Sequence, residues 1–332
     1  MRLVVCCNRD EQKGRVFAAQ YDCDFLSSYE ELCNRSDIDY VDVCTYPDFR
    51  LEPVEACAKS RKHIHVQKPM ATSLDDAARM IEVAERAGIL LGVASQQRFS
   101  DGALFLNQAI KIGRLGKLIQ ADAYVKWYRS PEYYKKEGKG SWKLEGGGAL
   151  INQAIHQVDL LRWLGGEFDE VSSYWQLGAL HAIECEDVLS GIIRYASGAT
   201  GVIQASTAMW PGFTERLEFH GTNGSAVLSG GCLSTWSVQD DWGDKPTLLT
   251  PSASGASDPA AIALEPFERQ ILNFVEAIKS GKRPLVDGEE GYKTLRATLA
   301  FYQSCRTGRA IRVGQLGPVL TDIPTANAAP KK

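Results

Sequence analysis

Two stretches of this 332-residue sequence hold side chains that could carry out chemistry. The first, at 63–71, reads HIHVQKPMA and places Lys68 directly after a β-rich run and before Pro69. Ligands bind at the carboxyl edge of an open parallel sheet, and a lysine there can stabilise an alkoxide or polarise a carbonyl. Taken alone, a solvent-exposed lysine after a strand is the more common interpretation of this stretch.

The second stretch, at 142–159, reads WKLEGGGALINQAIHQVD. Its three glycines permit close backbone approach, and we predict that they open a helix that runs through Leu164. Asn152 and His156 are four residues apart and would share one face of that helix. Histidine is the usual proton acceptor near neutral pH. The alternative is a histidine that only pairs with Asp159, three residues further on.

The elements that must position these side chains change character along the chain. Residues 3–94 alternate β-rich and helical runs, which predicts a parallel sheet covered by helices. The predicted strands there are 3–7, 40–45, 63–66 and 89–94, and the predicted helices are 11–20, 29–34, 51–59 and 74–87. Later strands follow one another without helices and predict an antiparallel sheet. These strands are 118–127, 171–177, 188–195, 199–206, 216–220 and 226–228, and helices return at 266–279 and 289–306.

The change of pattern predicts two domains and a short tail. Residues 1–114 would form an incomplete Rossmann-type α/β domain with a parallel sheet. Residues 115–323 would form an α+β domain with a large, mainly antiparallel open sheet, and 324–332 a disordered tail. Small ligands bind at such a seam between domains in α/β enzymes.

Composition indicates a globular, cytoplasmic protein. Hydrophobic residues make up 44% and charged residues 23%, and the net charge of −4 comes without a long basic run, which argues against nucleic acid or an anionic membrane as a partner. No apolar stretch approaches the ~18 to 20 residues of a membrane span. The nine cysteines contain no CxxC pair and are expected to be reduced thiols. His181, Glu184 and Glu186 fit no standard metal-ligand spacing, so we expect no metal.

Together the two stretches resemble the Gfo/Idh/MocA oxidoreductases, the family of glucose–fructose oxidoreductases and inositol dehydrogenases. Gln67-Lys68-Pro69 matches the family's Glu-Lys-Pro motif. The glycine-rich helix start, followed by an acid or amide and then a histidine four residues later, matches 146–156. The runs QQRF at 96–99 and ECED at 184–187 also fit, and the resemblance covers nearly the whole chain. Each motif is weak alone, but their order and spacing are specific.

The resemblance implies an NAD(P)-dependent dehydrogenase or reductase that acts on a sugar or polyol carbon. His156 would take the hydroxyl proton, Lys68 would stabilise the developing alkoxide, and Asn152 would orient lysine and substrate. Many relatives carry Asp where this chain has Asn152, and Gln67 replaces the usual Glu. The residues implied on the substrate side are Arg129, Tyr133, Trp142, Asn152, Gln153 and His156. For Arg129, Tyr133 and Trp142, packing at the seam or surface is the alternative.

The cofactor side departs from the family because the chain has no GxGxxG turn. The residues implied to contact nicotinamide cofactor are Asn8, Arg9, Thr45, Tyr46, Pro47, Phe49, Gln67, Lys68 and Gln96. Strand 3–7 resembles the family's second strand, and Asn8-Arg9 stands where its ribose-binding acid would be. Because arginine could pair with a 2′-phosphate, NADP is slightly favoured over NAD.

The absent first strand is normally central, so strand 3–7 and the strand before Lys68 are expected to lose a shared neighbour. We consider a longer functional protein, a rearranged sheet that binds nucleotide weakly or not at all, and a non-catalytic binding or assembly protein. A relative that cleaves glycosides by transient oxidation is a further alternative. The resemblance also implies a homo-oligomer, a dimer or tetramer formed through the second domain's sheet.

Overall fold

The computed structural model describes residues 1–239, 247–249, 255–258 and 262–317. The first domain contains five short parallel strands, β1 Val5–Cys7, β2 Asp24–Leu26, β3 Tyr40–Val43, β4 His63–Val66 and β5 Leu91–Val93. Its helices are α1 Glu11–Tyr21, α2 Tyr29–Cys33, α3 Leu51–Lys59 and α4 Leu74–Ala87, and α5 Asp101–Lys111 leads to the second domain. Strands and helices alternate, as the sequence predicts.

Local sequence explains where the helices of this domain begin. The side chains of Asp10, Ser28 and Ser73 each accept a hydrogen bond from a backbone N–H in the first turn of the following helix. Such caps satisfy amide groups that have no partner inside the helix. Helix α4 ends at Gly88, whose φ of 67° is a left-handed conformation that glycine adopts without strain.

The parallel strands form two separate sheets. β1 pairs with β2, and β3, β4 and β5 form a second sheet in that order. The break separates β1 and β2 from the other three strands. The expectation that the strand before Lys68 lies beside the break is wrong, because β4 lies at the centre of its sheet, between β3 and β5. The error arose because β2, a run of only three residues, was not predicted.

The second domain is built on one eight-stranded sheet. Its strands are β6 Leu118–Lys126, β7 Phe168–Leu177, β8 Glu186–Tyr195, β9 Thr200–Ser206, β10 Arg216–Gly221, β11 Gly224–Ser229, β12 Cys232–Val238 and β13 Ile311–Arg312. The order is β12-β11-β10-β6-β9-β8-β7-β13, and all neighbours are antiparallel except β6 and β9. The predicted fold class is confirmed, although β12 and β13 were not foreseen.

Helices cover one face of this sheet. They are α6 Trp142–Glu145, α7 Ala149–Asn152, α8 Ile155–Gly165 and α10 Gly288–Thr307. Helix α9 Glu265–Ser280 packs on the first domain instead, where Phe274 contacts the rings of Tyr40 and His65. Ten of the eleven residues of α8 are buried between the sheet and α10. On the opposite face Tyr174 is 79% exposed and Ile192 is 62% exposed. The predicted tail at 324–332 lies outside the described residues.

A buried ionic cluster joins the two domains. Arg98, in the short turn after β5, donates to the carboxylates of Asp159 in α8 and Glu290 in α10. Arg162 of α8 also binds Glu290. The side chains of Arg98, Asp159 and Arg162 are almost completely inaccessible to solvent. Buried charges require partners, and here each arginine is balanced by a carboxylate.

Candidate active site

Lys68 lies at the carboxyl end of β4, between the two domains. Its Nζ donates a hydrogen bond to the main-chain oxygen of Asn152, 2.5 Å away. Burial, together with the positive charges of Lys139 and Arg50, lowers the pKa of Lys68 to about 8. An ammonium group with this pKa is charged at neutral pH, yet it is able to release or regain a proton near that pH.

The glycine-rich turn fixes Asn152. The carboxylate of Glu186 accepts hydrogen bonds from the backbone N–H groups of Gly148 and Leu150, both at 2.8 Å. The side chain of Asn152 donates to the oxygen of Gly147. A Cβ at position 148 would lie 1.8 Å from the main-chain oxygen of Glu186, which explains why glycine is required there. Glu186 was missed as a positioning residue, because its contact is made across 36 residues of sequence.

Asn152 and His156 do not share one continuous helix, so that prediction is wrong. Helix α7 ends at Asn152, α8 begins at Ile155, and the two residues between them break the helical run. The main-chain oxygen of Asn152 is thereby left free to accept the bond from Lys68. The break brings lysine and histidine to the same cleft.

His156 is buried on the other side of this cleft. Its Nε2 lies 3.3 Å from Nε2 of Gln96. Burial lowers the pKa of His156 to about 3, and the charge of Lys68 contributes. The imidazole is therefore neutral at pH 7 and can accept a proton. A small cavity lies between Lys68 and His156 and is also lined by Ser95 and Asp159.

Asp159 does not serve as the partner of His156. Its carboxylate accepts hydrogen bonds from Arg98, Ser95 and Thr294 instead. These contacts hold the pKa of Asp159 below its usual range, chiefly through the charge of Arg98 acting against the effect of burial. The alternative in which the histidine only pairs with this aspartate is therefore excluded.

Several residues predicted on the cofactor side meet at the carboxyl ends of β1 and β3. The guanidinium of Arg9 lies 4.6 Å from the ring centre of Phe49. Asn8 accepts a hydrogen bond from the backbone of Asp10. Thr45 donates to the main-chain oxygen of Phe49, within a short turn that begins at Pro47. Tyr46 points to the second domain, where its hydroxyl donates to the oxygen of Glu137.

Arg50 fixes the loops after β3 and β4, and sequence reasoning missed it. Its guanidinium donates to the main-chain oxygens of Thr45, Gln67 and Pro69. It is buried, and burial lowers its pKa to about 10. Gln67 is held half-buried beside Lys68 by this contact. A buried arginine with only carbonyl partners leaves no signal in the spacing of charged residues.

The substrate-side residues divide into a pair whose side chains contact each other, Tyr133 and Gln153, and two residues that bind main-chain oxygens, Arg129 and Trp142. Tyr133 and Gln153 contact each other, since Nε2 of Gln153 lies 3.3 Å from the Tyr133 hydroxyl. Arg129 directs its guanidinium to the main-chain oxygens of Tyr128, Gly255 and Ala256. Trp142 is buried against Tyr302, and its indole N–H donates to the oxygen of Glu184. The contacts of Trp142 correspond to the packing alternative.

Two further charged residues, Lys139 and Glu145, act on Lys68 through their charges and were not predicted. Lys139 forms an ion pair with Glu145 at 2.5 Å and lies 5.3 Å from the ring centre of Tyr133. Glu145 also accepts the backbone N–H of Gly140. Lys139 falls in the run YKKEGKG, where sequence alone gives no reason to prefer one lysine over its neighbours.

His181, Glu184 and Glu186 bind protein groups rather than one another. His181 lies between the Asp187 carboxylate and the oxygen of Arg129. Glu184 accepts from the backbone of Trp142. No group of side chains suited to holding a metal ion is found in the described part of the chain.

The residues present fit the nicotinamide end of a dinucleotide better than its pyrophosphate end. Gln67, Lys68 and Gln96 follow strands β4 and β5 at one sheet edge, where amide and ammonium groups suit a nicotinamide ribose. A pyrophosphate needs a glycine turn at a helix start. Gly14 does not provide one, because a Cβ there would lie 2.1 Å from the ring of Phe25, which shows that its role is packing.

Comparison with known proteins identifies the class. The model of an oxidoreductase family with an NAD-binding Rossmann fold matches residues 1–95, and that of the GFO/IDH/MocA C-terminal domain matches residues 104–227. The chain is an NAD(P)-dependent oxidoreductase. More specifically, it belongs to the Gfo/Idh/MocA family, as the sequence motifs predict.

Individual relatives support this assignment. The chain is 29% identical to a 1,5-anhydro-D-fructose reductase of Ensifer adhaerens over 87% of its length and 84% of the relative's. It is 26% identical to a myo-inositol 2-dehydrogenase of Thermotoga maritima, covering 86% and 83%. The WlbA dehydrogenase of Bordetella pertussis, solved with NADH and UDP-GlcNAcA, superposes with a TM-score of 0.83 at 25% identity, over 94% of this chain and 90% of that one.

These relatives place the chain among NAD-dependent dehydrogenases of sugars and polyols. Within the described residues, no helix is both long and apolar enough to cross a membrane.

Proposed function

We propose that the protein transfers hydride between a nicotinamide cofactor and a hydroxyl-bearing carbon of a sugar, sugar derivative or polyol. The observation that carries the proposal is the meeting of Lys68 and His156 across one cleft, with Asn152 bonded to the lysine. The cofactor supplies the hydride acceptor or donor. The named relatives act on anhydrofructose and myo-inositol, which supports a polyhydroxylated substrate.

His156 acts as the general base in this proposal. Its low pKa keeps the imidazole neutral, so that it can take the substrate hydroxyl proton. The Gln96 amide N–H donates to Nε2 of this ring, the nitrogen that the substrate hydroxyl would contact in its place. Lys68 stabilises the alkoxide that forms as the proton leaves, because its ammonium carries a positive charge in a cleft shielded from water. Asn152 holds Lys68 through its main-chain oxygen.

The variants His156→Ala and Lys68→Ala test these roles. Each should lower turnover about 100- to 10,000-fold while leaving the circular dichroism spectrum unchanged, the usual effect of removing an acid–base group. Formation of reduced nicotinamide would be followed with a panel of sugars, anhydrosugars and inositols. His220→Ala, on strand β10, is the control and should retain full activity. Full activity in both site variants would contradict the proposal.

We propose NADP as the preferred cofactor, within the wider class of NAD(H)-dependent relatives. Arg9, whose guanidinium packs on Phe49 at the end of β1, is placed to pair with a 2′-phosphate. Fluorescence titration should show tighter binding of NADPH than NADH, and Arg9→Ala should remove the difference. Tighter binding of NADH to the unaltered chain would contradict the preference.

We also propose that the protein forms a homo-oligomer through the open face of the eight-stranded sheet. Tyr174 and Ile192 are large apolar side chains, and both are mostly exposed there. Exposed apolar groups on such a face are typical of protein–protein contacts. Light scattering on the unaltered protein should give a dimer or tetramer, and Ile192→Glu should give smaller species. A monomeric unaltered protein would contradict the proposal.

A further inference from the structure

Several cationic side chains lie near Lys68. Arg50, Arg129 and Lys139 each lower its pKa, and the carboxylate of Glu145 acts against them. Asp159, which lines the same cavity, is already paired with Arg98.

The two arginines are compensated mainly by main-chain dipoles. Arg50 donates to three backbone carbonyl groups, and Arg129 donates to three others. Asp42 acts on Arg50, and Asp258 on Arg129, through their charges. Carbonyl groups satisfy the hydrogen bonds of a guanidinium but carry no net charge, so a positive potential remains in the cleft.

Lys139 is the cation of this group that a substrate can approach. Its side chain is 23% exposed, and its ammonium lies between the rings of Tyr133 and Tyr46, at 5.3 and 5.9 Å from their centres. Its partner Glu145 is 5% exposed and shares its carboxylate with the N–H of Gly140. The ammonium therefore keeps donors for a further anion.

A buried polar atom marks the same place. Oε1 of Gln153 is shielded from solvent and has no hydrogen-bond partner among the described residues. The other end of this amide contacts the hydroxyl of Tyr133, whose ring faces Lys139. A buried acceptor without a partner is costly, and a substrate hydroxyl would satisfy it.

We infer that the substrate is an anionic sugar, whose carboxylate or phosphate group binds Lys139 beside Tyr133 while a neighbouring hydroxyl donates to Gln153. The inference rests on the proposed function, because it concerns the substrate of the same site. The bound anion would restore the charge balance around Lys68, and the ring hydroxyl under attack would face His156 and Lys68.

Calorimetric titration with matched ligands tests this inference without relying on turnover. Glucose, glucuronate and glucose 6-phosphate form one set, and galactose, galacturonate and galactose 6-phosphate form another. In at least one set an anionic member should bind roughly tenfold more tightly than the neutral sugar at low salt, and added salt should weaken that binding. Comparing the uronates with the sugar phosphates shows whether the site prefers a carboxylate or a phosphate group.

Variants at position 139 locate the effect. Lys139→Gln should remove the preference for the anion, and Lys139→Arg should retain it because the charge remains. Lys143→Gln, which removes an exposed lysine on the adjacent helix, is the matched control and should bind like the unaltered protein.

The inference is overturned if the anionic ligands bind no better than the neutral sugars in both sets, or if Lys139→Gln keeps the preference. The proposed function fails separately. If the anionic sugar binds through Lys139 but no reduced nicotinamide forms with any ligand, the anion site stands and the oxidoreductase mechanism does not.

Discussion

The two domains of this protein differ in how extensively their strands and helices are packed. The first domain's strands are three or four residues long and fall into two separate sheets, and α1 buries only Gly14 and Ala18. The second domain has one continuous sheet, and α8 buries almost all of its residues. His156 and Asn152 belong to the second domain, and Lys68 follows the central strand of the better-packed parallel sheet.

This difference in burial between the two regions indicates which contacts make the active site rigid. The proposed catalytic groups are held by buried contacts, such as Glu186 to the glycine turn and Arg98 to Asp159. Segment 1–35, which carries Asn8 and Arg9, has mostly exposed side chains and surface ion pairs. Regions with little burial unfold locally most readily. We therefore expect the segment proposed to select the cofactor to be less stable than the region that holds the proposed catalytic groups.

The strongest test of the comparison is a matched pair of arginines. Each binds two carboxylates, Arg98 inside the molecule and Arg35 near the surface. Arg98→Met should lower the free energy of unfolding by about 3 to 5 kcal/mol, because it removes the main charged partner of the buried Asp159 carboxylate. Arg35→Met should cost less than about 1 kcal/mol. Urea denaturation measures both, and equal losses would show that the two regions are not distinct.

A second, smaller effect should appear with pH. Burial raises the pKa of Glu186 to about 7, above its value near 4.5 in the unfolded chain. A raised carboxyl pKa gives stability that is complete below pH 4.5 and is lost as pH rises through 7. The contribution of Glu186 to the unfolding free energy should therefore fall by up to roughly 3 kcal/mol between pH 5 and 8. Buried His156, whose pKa is lowered, contributes in the opposite direction below pH 6.5, so the Glu186 contribution is the difference between the unaltered protein and Glu186→Gln. An identical pH dependence in the two proteins would contradict the assignment.

The exposed ion pair of the first region responds in the opposite direction. The hydrogen bonds of Arg35 lower the pKa of Asp37 to about 2. Stability from a lowered carboxyl pKa is present above its unfolded value and is lost as pH falls towards 2. Asp37→Asn is therefore a control that leaves the slope between pH 5 and 8 unchanged.

The smallest expected effect concerns α1. Phe17 is 43% exposed, so Phe17→Ala should change the free energy of unfolding by less than about 0.5 kcal/mol. Phe301→Ala in α10, where the ring is fully buried, should cost about 3 to 5 kcal/mol. Thermal and urea unfolding would be compared at one pH. A loss above about 1.5 kcal/mol for Phe17→Ala would show that α1 is packed more firmly than its exposure indicates.

Much of the fold could be predicted from periodicity and motifs. Long amphipathic helices such as α4 were placed correctly, and Lys68 was expected at a strand end. Short strands such as β2 could not be found, because three residues carry too little pattern. The helix break after Asn152 was also missed, since its sequence has no proline or glycine at that point. It depends on contacts with the rest of the fold.

Two of the site residues that were missed share one physical property. Arg50 and Glu186 gain their roles from main-chain partners far away in sequence. Spacing along the chain reports on neighbours within one helix or strand and not on such contacts. Trp142 shows the converse, because an aromatic residue in a promising motif became part of the packing.

The way Arg50 binds has a consequence for altering the enzyme. Its partners at positions 45, 67 and 69 are all main-chain oxygens, which every amino acid possesses. Side chains at positions 45 and 67 can therefore be exchanged without removing the hydrogen bonds that Arg50 donates to the main chain. A library that varies these two positions at constant Arg50 would explore new cofactor contacts on a backbone that keeps its shape.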